Sequence, residues 1–368
     1  MKNKFDTLTV ETGVKSKKKY PIYIGKAILN LLDKVIPRNV SVLIVIDSRI
    51  ARLHRDKITR LIEFLTESRT VNQIIIPGEE DSKSLSVSES LYEKAASLNL
   101  DRSSWFIGIG GGVVGDLTGF VAATYMRGAN LLHVPTTLLA QVDSSVGGKV
   151  AINQSGYKNL VGNFYQPKAV IIDTNFLDTL PIRELRAGLA EVFKYGILCD
   201  RELFLTVKSL FEDCEPLNNV SWERYSYLIH KSCEIKADIV SQDEIDTGIR
   251  MLLNLGHTFA HALEGATSYN YFKHGEAVMW GLAMSAELSY KLNKLTYKDY
   301  QAIAELPELT KVPEVPIQVK DPNIIEELLL RDKKKTGEEL TVILPTSIGS
   351  AEICKCPATA LIKVILES

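Results

Sequence analysis

The chain has 368 residues, is 45% hydrophobic and carries a formal net charge of −2. That length exceeds what one core usually supports, so two domains are expected, and the balanced charge with no long basic tail makes nucleic acid an unexpected partner. The first nineteen residues lack the apolar core of a signal peptide, no window approaches roughly 18 apolar residues, and the five scattered cysteines suit reduced thiols, so the expectation is a cytoplasmic protein with no membrane partner.

In chain order, residues 15–19 are lysine-rich and read as a solvated face. Short β-branched runs at 42–46, 74–76, 105–109, 131–134 and 170–172 then alternate with amphipathic stretches. This alternation predicts an α/β domain with a mostly parallel, Rossmann-like sheet that binds ligands beyond the carboxyl ends of its strands. Gly110, Gly112 and Gly115 form a Gly-x-Gly-x-x-Gly turn directly after one run and directly before a helical stretch. Backbone amides at such a helix start can face a pyrophosphate; the alternative is glycine used for packing at a strand end. The run 131–134 ends in Pro135, with no acid to take a ribose hydroxyl, so Asp47 or Glu80 with Lys83 must serve unless the latter two are a solvated loop pair. Residues 143–149, Asp-Ser-Ser-Val-Gly-Gly-Lys, and then Lys158 and Asn159 are too rich in lysine to read as strands. After Pro181 strand signals nearly vanish, and helical periodicity covers 183–198, 222–241, 250–264 and 274–292. The expected division is therefore 1–180 and a mainly helical 181–368, packed around one cleft. A late strand at 340–344 follows the charged segment 331–335, and a short helix closes the chain.

Arg250, Asn254, His257 and His261 recur at spacings of four, three and four, which on one helix is one face. The other positions there are apolar, so a single buried helix is expected, with its polar stripe turned into the cleft. His257 and His261 have the spacing of a zinc-protease helix, but Thr258 stands where the glutamate of His-Glu-x-x-His belongs, so a protease is not expected. His274 opens the next helix, and Glu191 sits one turn before Lys194. Two of these imidazoles and that carboxylate, with a fourth position open, suit a catalytic Zn2+ or similar ion. Lys149, Lys158, Lys194, Arg127, Lys236 and Arg250 all fall in motif segments, and several cations at one site imply a dianionic or trianionic substrate.

The most specific stretches are GGGVVGDLTGFVAATYMRG at 110–128, HVPTTLLAQVDSSVGGK at 133–149, KNLVG at 158–162, AEVFKYG at 190–196, LNLGHTFAH at 253–261 and HGEA at 274–277. On these the sequence resembles the 3-dehydroquinate synthase family over nearly its whole length. The resemblance implies the fold of that family, with NAD+ held by Asp47, Glu80, Lys83, Gly111, Gly112, Val113, Asp116, Thr136, Thr137, Lys149, Lys158 and the segment from Phe176 to Thr179. It implies one divalent ion, Zn2+ or Co2+, on Glu191, His257 and His274. A sugar phosphate would be held by Arg127, Asp143, Lys149, Asn159, Lys194, Lys236, Arg250, Asn254 and His261, with Lys333 or Lys334 closing over it. The implied catalytic groups are His261 as proton shuttle, Lys149, Lys194, Arg250, Asn254, and Asp246 as general base.

The implied reaction turns 3-deoxy-D-arabino-heptulosonate 7-phosphate into 3-dehydroquinate and phosphate by transient oxidation, elimination, re-reduction and aldol closure, in a homodimer. Tyr157 and Ala260 stand where the family usually has glycine, Asp246 where it has glutamate, and Arg49 where it has a polar residue. The rivals are a metal-dependent polyol dehydrogenase, whose neutral substrate needs no cluster of cations, a cyclase for sedoheptulose 7-phosphate, which lacks the carboxylate, and a non-catalytic sugar-phosphate binder.

Overall fold

A computed structural model describes residues 5–12, 18–212, 217, 220–319, 321–332 and 339–368. The chain forms two compact units, one built from the residues up to Pro181 together with Ser221–Ile245, the other from Ile182–Val220 and the residues from Asp246 onward.

The first unit holds strands β1 (Phe5–Thr12), β2 (Lys18–Gly25), β3 (Ser41–Asp47), β4 (Thr70–Ile76), β5 (Trp105–Gly110), β6 (Asn130–Pro135), β7 (Lys149–Gln154), β8 (Tyr157–Phe164) and β9 (Ala169–Asp173). Seven of them form one sheet in the order β1-β2-β9-β6-β5-β3-β4. Every neighbouring pair from β2 onward is parallel, and β1 closes one edge antiparallel. Period-2 alternation splits β3 between two cores: Val42, Ile44 and Ile46 pack with Ile107 and Ile109 on one face, Leu43 and Val45 with Phe106 on the other. Cover on both faces is why these runs read as continuously apolar. From β3 the chain moves outward to β4, whereas from β5 it moves the opposite way to β6. Asp47 and Gly110 thus end the two strands that flank the reversal, the place where open α/β sheets bind ligands.

Two expectations are corrected here. Residues 143–149 and 158–159 are not irregular throughout: Lys149 opens β7 and Lys158 and Asn159 lie in β8, the two strands pairing as a separate antiparallel hairpin. Lys18 and Lys19 begin β2 with the Lys19 side chain exposed, and the rest of the lysine-rich run, 15–17, lies outside the described residues. In addition, helix Trp222–Gln242, expected among the helices after residue 180, lies in the first unit, where it packs on β1. Its Cys233 Sγ donates to the Gln141 carbonyl at 3.3 Å.

The second unit contains helices Ile182–Cys199, Arg201–Glu212, His257–Ala266, His274–Lys291, Tyr297–Ala304, Pro322–Asp332 and Ala358–Glu367, with the antiparallel pair β10 (Glu339–Ser347) and β11 (Ser350–Pro357). None of the described helices is long and apolar enough to cross a membrane.

His133 in β6 is 5% exposed, and burial pushes its pKa down from 6.5 to about 4. The unfolded chain therefore binds the extra proton first, so stability rises with pH between those values and falls on acidification, by about 3 kcal/mol at most. His133→Gln should flatten this slope when unfolding midpoints are compared at about pH 5 and about pH 7.5. An unchanged difference between the two midpoints would contradict the assignment.

Candidate active site

Helix Gly112–Thr124 starts directly from β5 through Gly111, an extended N-cap residue with φ −73° and ψ −170° that supplies no side-chain cap. Its first turn carries no acid, so the amides and the positive end of the helix dipole are left for an anion. A Cβ on Gly111 would meet Thr137 at 3.2 Å, and one on Gly112 would meet Ser144 Oγ at 3.1 Å, so side chains here would crowd the turn. The Gly110 carbonyl accepts from Thr136 N at 2.9 Å. Gly108, Gly110, Gly111, Gly115, His133 and Ser144 line a small recess at the turn. At the neighbouring strand end, the Asp47 carboxylate accepts from Arg49 N at 2.7 Å and stands against Gly78, where a Cβ has no room. Burial raises the Asp47 pKa. The Arg49 guanidinium pairs with Glu79 at 2.6 Å.

Lys83 is no solvated loop charge. It is 4% exposed, and its Nζ donates to Asp116 Oδ2 at 2.7 Å and to Asn159 Oδ1, with Glu80 Oε1 at 3.9 Å. Burial lowers its pKa, but Asp116 and Glu80 more than offset that and leave it raised, so the ammonium stays charged. Sequence reasoning missed Asn153, whose Nδ2 donates to Glu80 Oε1 at 2.8 Å and whose Oδ1 accepts from Asn159 N at 2.9 Å. Asn153 lies at the register shift of the β7–β8 hairpin, so only the strand pairing reveals it. In the same unit Lys236 Nζ donates to the Asp143 carboxylate and to its carbonyl, both at 2.8 Å. Asp143 sits on a single π-helical turn, Ala140–Ser144.

In the second unit the single helix expected over 250–264 does not form. Ile249–Asn254 is a 3-10 helix, Leu255 is not helical, and Gly256 is left-handed at φ 79° before helix His257–Ala266 begins. The cause is a close helix crossing: a Cβ on Gly281 would collide with the Gly256 carbonyl, and one on Gly256 would come within 3.0 Å of Leu282 N. Arg250 and Asn254 therefore belong to a different element from His257 and His261. A second crossing explains His274-Gly275-Glu276. Gly275 packs so tightly on the Ala187 carbonyl of helix Ile182–Cys199 that no Cβ fits. Glu276 locks the same junction, accepting from Arg183 at 2.6 and 2.8 Å and from Lys273 N at 2.8 Å.

These crossings bring together Glu191, which is fully buried, and the first residues of two helices, His257 and His274. Glu191 Oε1 is 3.6 Å from His257 Nε2 and 3.7 Å from His274 Nε2, and one donor atom from each residue lies within 4.8 Å of the others. Donors about 2.1 Å from a tetrahedral Zn2+ stand about 3.4 Å apart, so the set fits a metal. The Leu255 carbonyl, 3.1 Å from His257 Nδ1, can only accept, which leaves the Nε2 lone pair facing the cluster. Burial, then the nearby Lys194 ammonium, push the His257 pKa down to about 3, so this ring is neutral and ready to ligate. Lys194 is 1% exposed and pairs with Glu191. His261 joins the group, its ring centroid 5.7 Å from that of His257 and 6.5 Å from that of His274.

Arg250 is 1% exposed on the 3-10 helix that Asn254 ends. Asp246 is a partly exposed residue at φ 60°. In the first unit Val113 lies in the first turn of the glycine-turn helix, and Lys149 is exposed. Phe176 is buried beneath Lys57 Nζ, and Thr179 Oγ1 is 2.7 Å from His54 Nε2. Arg127 is exposed before the amino end of β6, the edge of the sheet opposite the glycine turn, so the structure does not bring it there. Lys333 and Lys334 lie outside the described residues.

The architecture is that of the sugar phosphate cyclases. A crystal structure of 2-deoxy-scyllo-inosose synthase complexed with carbaglucose-6-phosphate, NAD+ and Co2+ superposes with a TM-score of 0.86 at 25% identity, covering 99% of this chain and 100% of that one. Within that class, models of the 3-dehydroquinate synthase N-terminal and C-terminal regions match residues 73–187 and 188–335. The 3-dehydroquinate synthase of Shewanella frigidimarina is 41% identical over 365 residues, 98% of each chain. That of Desulforamulus reducens is 42% identical over 365 residues, 98% of this chain and 99% of its own. The chain belongs to the 3-dehydroquinate synthase family.

Gly275→Ala forces the His274 helix off helix Ile182–Cys199 and should cost about 1–3 kcal/mol. It should also lower bound Zn2+ after reconstitution, read by thermal unfolding and elemental analysis; a variant with full metal content would show that this crossing does not set the cluster.

Proposed function

We propose that the chain converts 3-deoxy-D-arabino-heptulosonate 7-phosphate into 3-dehydroquinate and inorganic phosphate. The observation that carries this reading is the cluster of buried Glu191 with half-buried His257 and His274, beside Lys194 and His261, in a chain of this family. Glu191, His257 and His274 are the residues that would hold a divalent ion, Zn2+ or Co2+. The glycine turn, Asp47, and Lys83 with Asp116 and Glu80 are the groups that would hold NAD+. When bound, the pair supplies a hydride acceptor restored in each cycle and a Lewis acid that acidifies a substrate hydroxyl.

The rest falls to side chains. Lys194 and Arg250, both nearly fully buried, offer fixed positive charge to a carboxylate or phosphate, and Asn254 offers an amide. Lys236 holds Asp143 in place through one hydrogen bond to its carboxylate and one to its backbone carbonyl. His261 carries a proton to or from the departing phosphate, and Asp246 takes the base role from a shorter side chain than glutamate. Lys149 and Lys158 with Asn159 supply further polar contacts from the hairpin. The same reading includes a cytoplasmic homodimer that takes a small sugar phosphate.

The test supplies substrate, NAD+ and Zn2+ and measures phosphate against NADH. Stoichiometric phosphate with no net NADH is expected, and little turnover with sedoheptulose 7-phosphate; accumulation of NADH would instead indicate a dehydrogenase. His274→Ala should lose turnover and metal together while still binding NAD+. Lys83→Met should weaken NAD+ binding at least about tenfold by titration while keeping its metal, because it removes a buried charge bonded to two partners.

A further inference from the structure

His274 faces a carboxylate through each ring nitrogen: Nε2 is 3.7 Å from Glu191 Oε1, and Nδ1 is 3.5 Å from Glu264 Oε2. Glu264 is 2% exposed and lies two turns beyond His257 on the same helix, so one rigid element carries both a ligand and this second acid. We propose that Glu264 is a positioning residue of the metal centre, accepting the Nδ1 proton of His274 and so aiming Nε2 at the cation; this rests on the reading of the cluster as a metal site.

Three observations support it. A ligating imidazole needs an acceptor for its other N–H, and that acceptor fixes both the tautomer and the ring plane. His257 already has one in the Leu255 carbonyl, so Glu264 supplies for His274 what the backbone supplies for His257. The acceptor at His274 is charged, which makes that ring the stronger donor of the two. Charge balance points the same way. With His274 neutral as a ligand, Glu191 and Lys194 cancel, and the buried carboxylate of Glu264 leaves a negative charge to meet a dication.

The test is Co2+ affinity by chelator competition, with the visible absorption of the Co2+ protein and the thermal midpoint of the metal-free protein. Glu264→Gln keeps the side-chain shape and removes the charge. It should weaken Co2+ binding by about 10–100-fold and change the visible spectrum, by more than any shift of the metal-free midpoint accounts for. Glu264→Asp, which keeps the charge, should bind Co2+ more tightly than Glu264→Gln. A Glu264→Gln protein that binds Co2+ as tightly as the unmodified chain, or loses affinity only in step with metal-free stability, overturns the proposal and leaves the metal site standing. An unmodified chain that takes up no Co2+ overturns both.

Discussion

The helical unit depends on two places where backbone meets backbone with no side chain between them. At Gly275 a helix start lies on the Ala187 carbonyl, and at Gly281 a helix wall lies on the carbonyl of Gly256. Helices usually stand 8–10 Å apart because side chains separate them, and glycine at the crossing removes that spacer. The reward is convergence. Glu191 comes from the middle of one helix, while His257 and His274 come from the first turns of two others, and only close crossings bring three such origins within a few ångströms. The left-handed turn at Gly256 has the same cause, since the chain must pass beneath Gly281 before helix His257–Ala266 can begin.

Electrostatics then divide the labour within the cluster. Burial alone would make every imidazole neutral, and His257, beside the Lys194 ammonium, follows that rule. His274 breaks it. Burial lowers its pKa, yet the carboxylates of Glu264 and Glu191 outweigh burial and raise it, so without a cation this ring keeps a proton. Two histidines of like chemistry thus arrive with opposite charge preference, set by a carbonyl behind one and a carboxylate behind the other. A cation held by this cluster would take the place of that proton, linking ring, acid and ion through one exchange.

Much of this was legible in the residues, and what was not has definite physical causes. The buried strands announced themselves because cover on both faces demands unbroken β-branched runs, as Val42 to Ile46 show. The hairpin of β7 and β8 did not, because β8 is exposed over most of its length and carries Lys158 and Asn159, so no burial pattern marked it. Asn153 stayed hidden for the same reason. The spacing of Arg250, Asn254, His257 and His261 was real but its geometry was misread: periodicity assumes one continuous helix, and Gly256 interrupts it where tertiary packing, not local propensity, decides. Helix Trp222–Gln242 was correctly seen as helical, yet amphipathicity states only that a face is buried and not which sheet will bury it.

The two candidate centres handle charge in opposite ways, each suited to its expected occupant. At the glycine turn the first helical turn is free of acids and side-chain caps, so its positive field comes from backbone dipoles that need no reorganisation and no proton. Nearby, Lys83 is buried but held charged by Asp116, so its ammonium is fixed in position and its preference for the charged form is maintained. The helical centre instead gathers ionisable groups in pairs, Glu191 with Lys194 and His274 with Glu264. A dication there would take up the Glu191 carboxylate and displace the imidazole proton together. A site meant to hold a dinucleotide through many cycles gains from the first design, and a site meant to polarise an oxygen gains from the second.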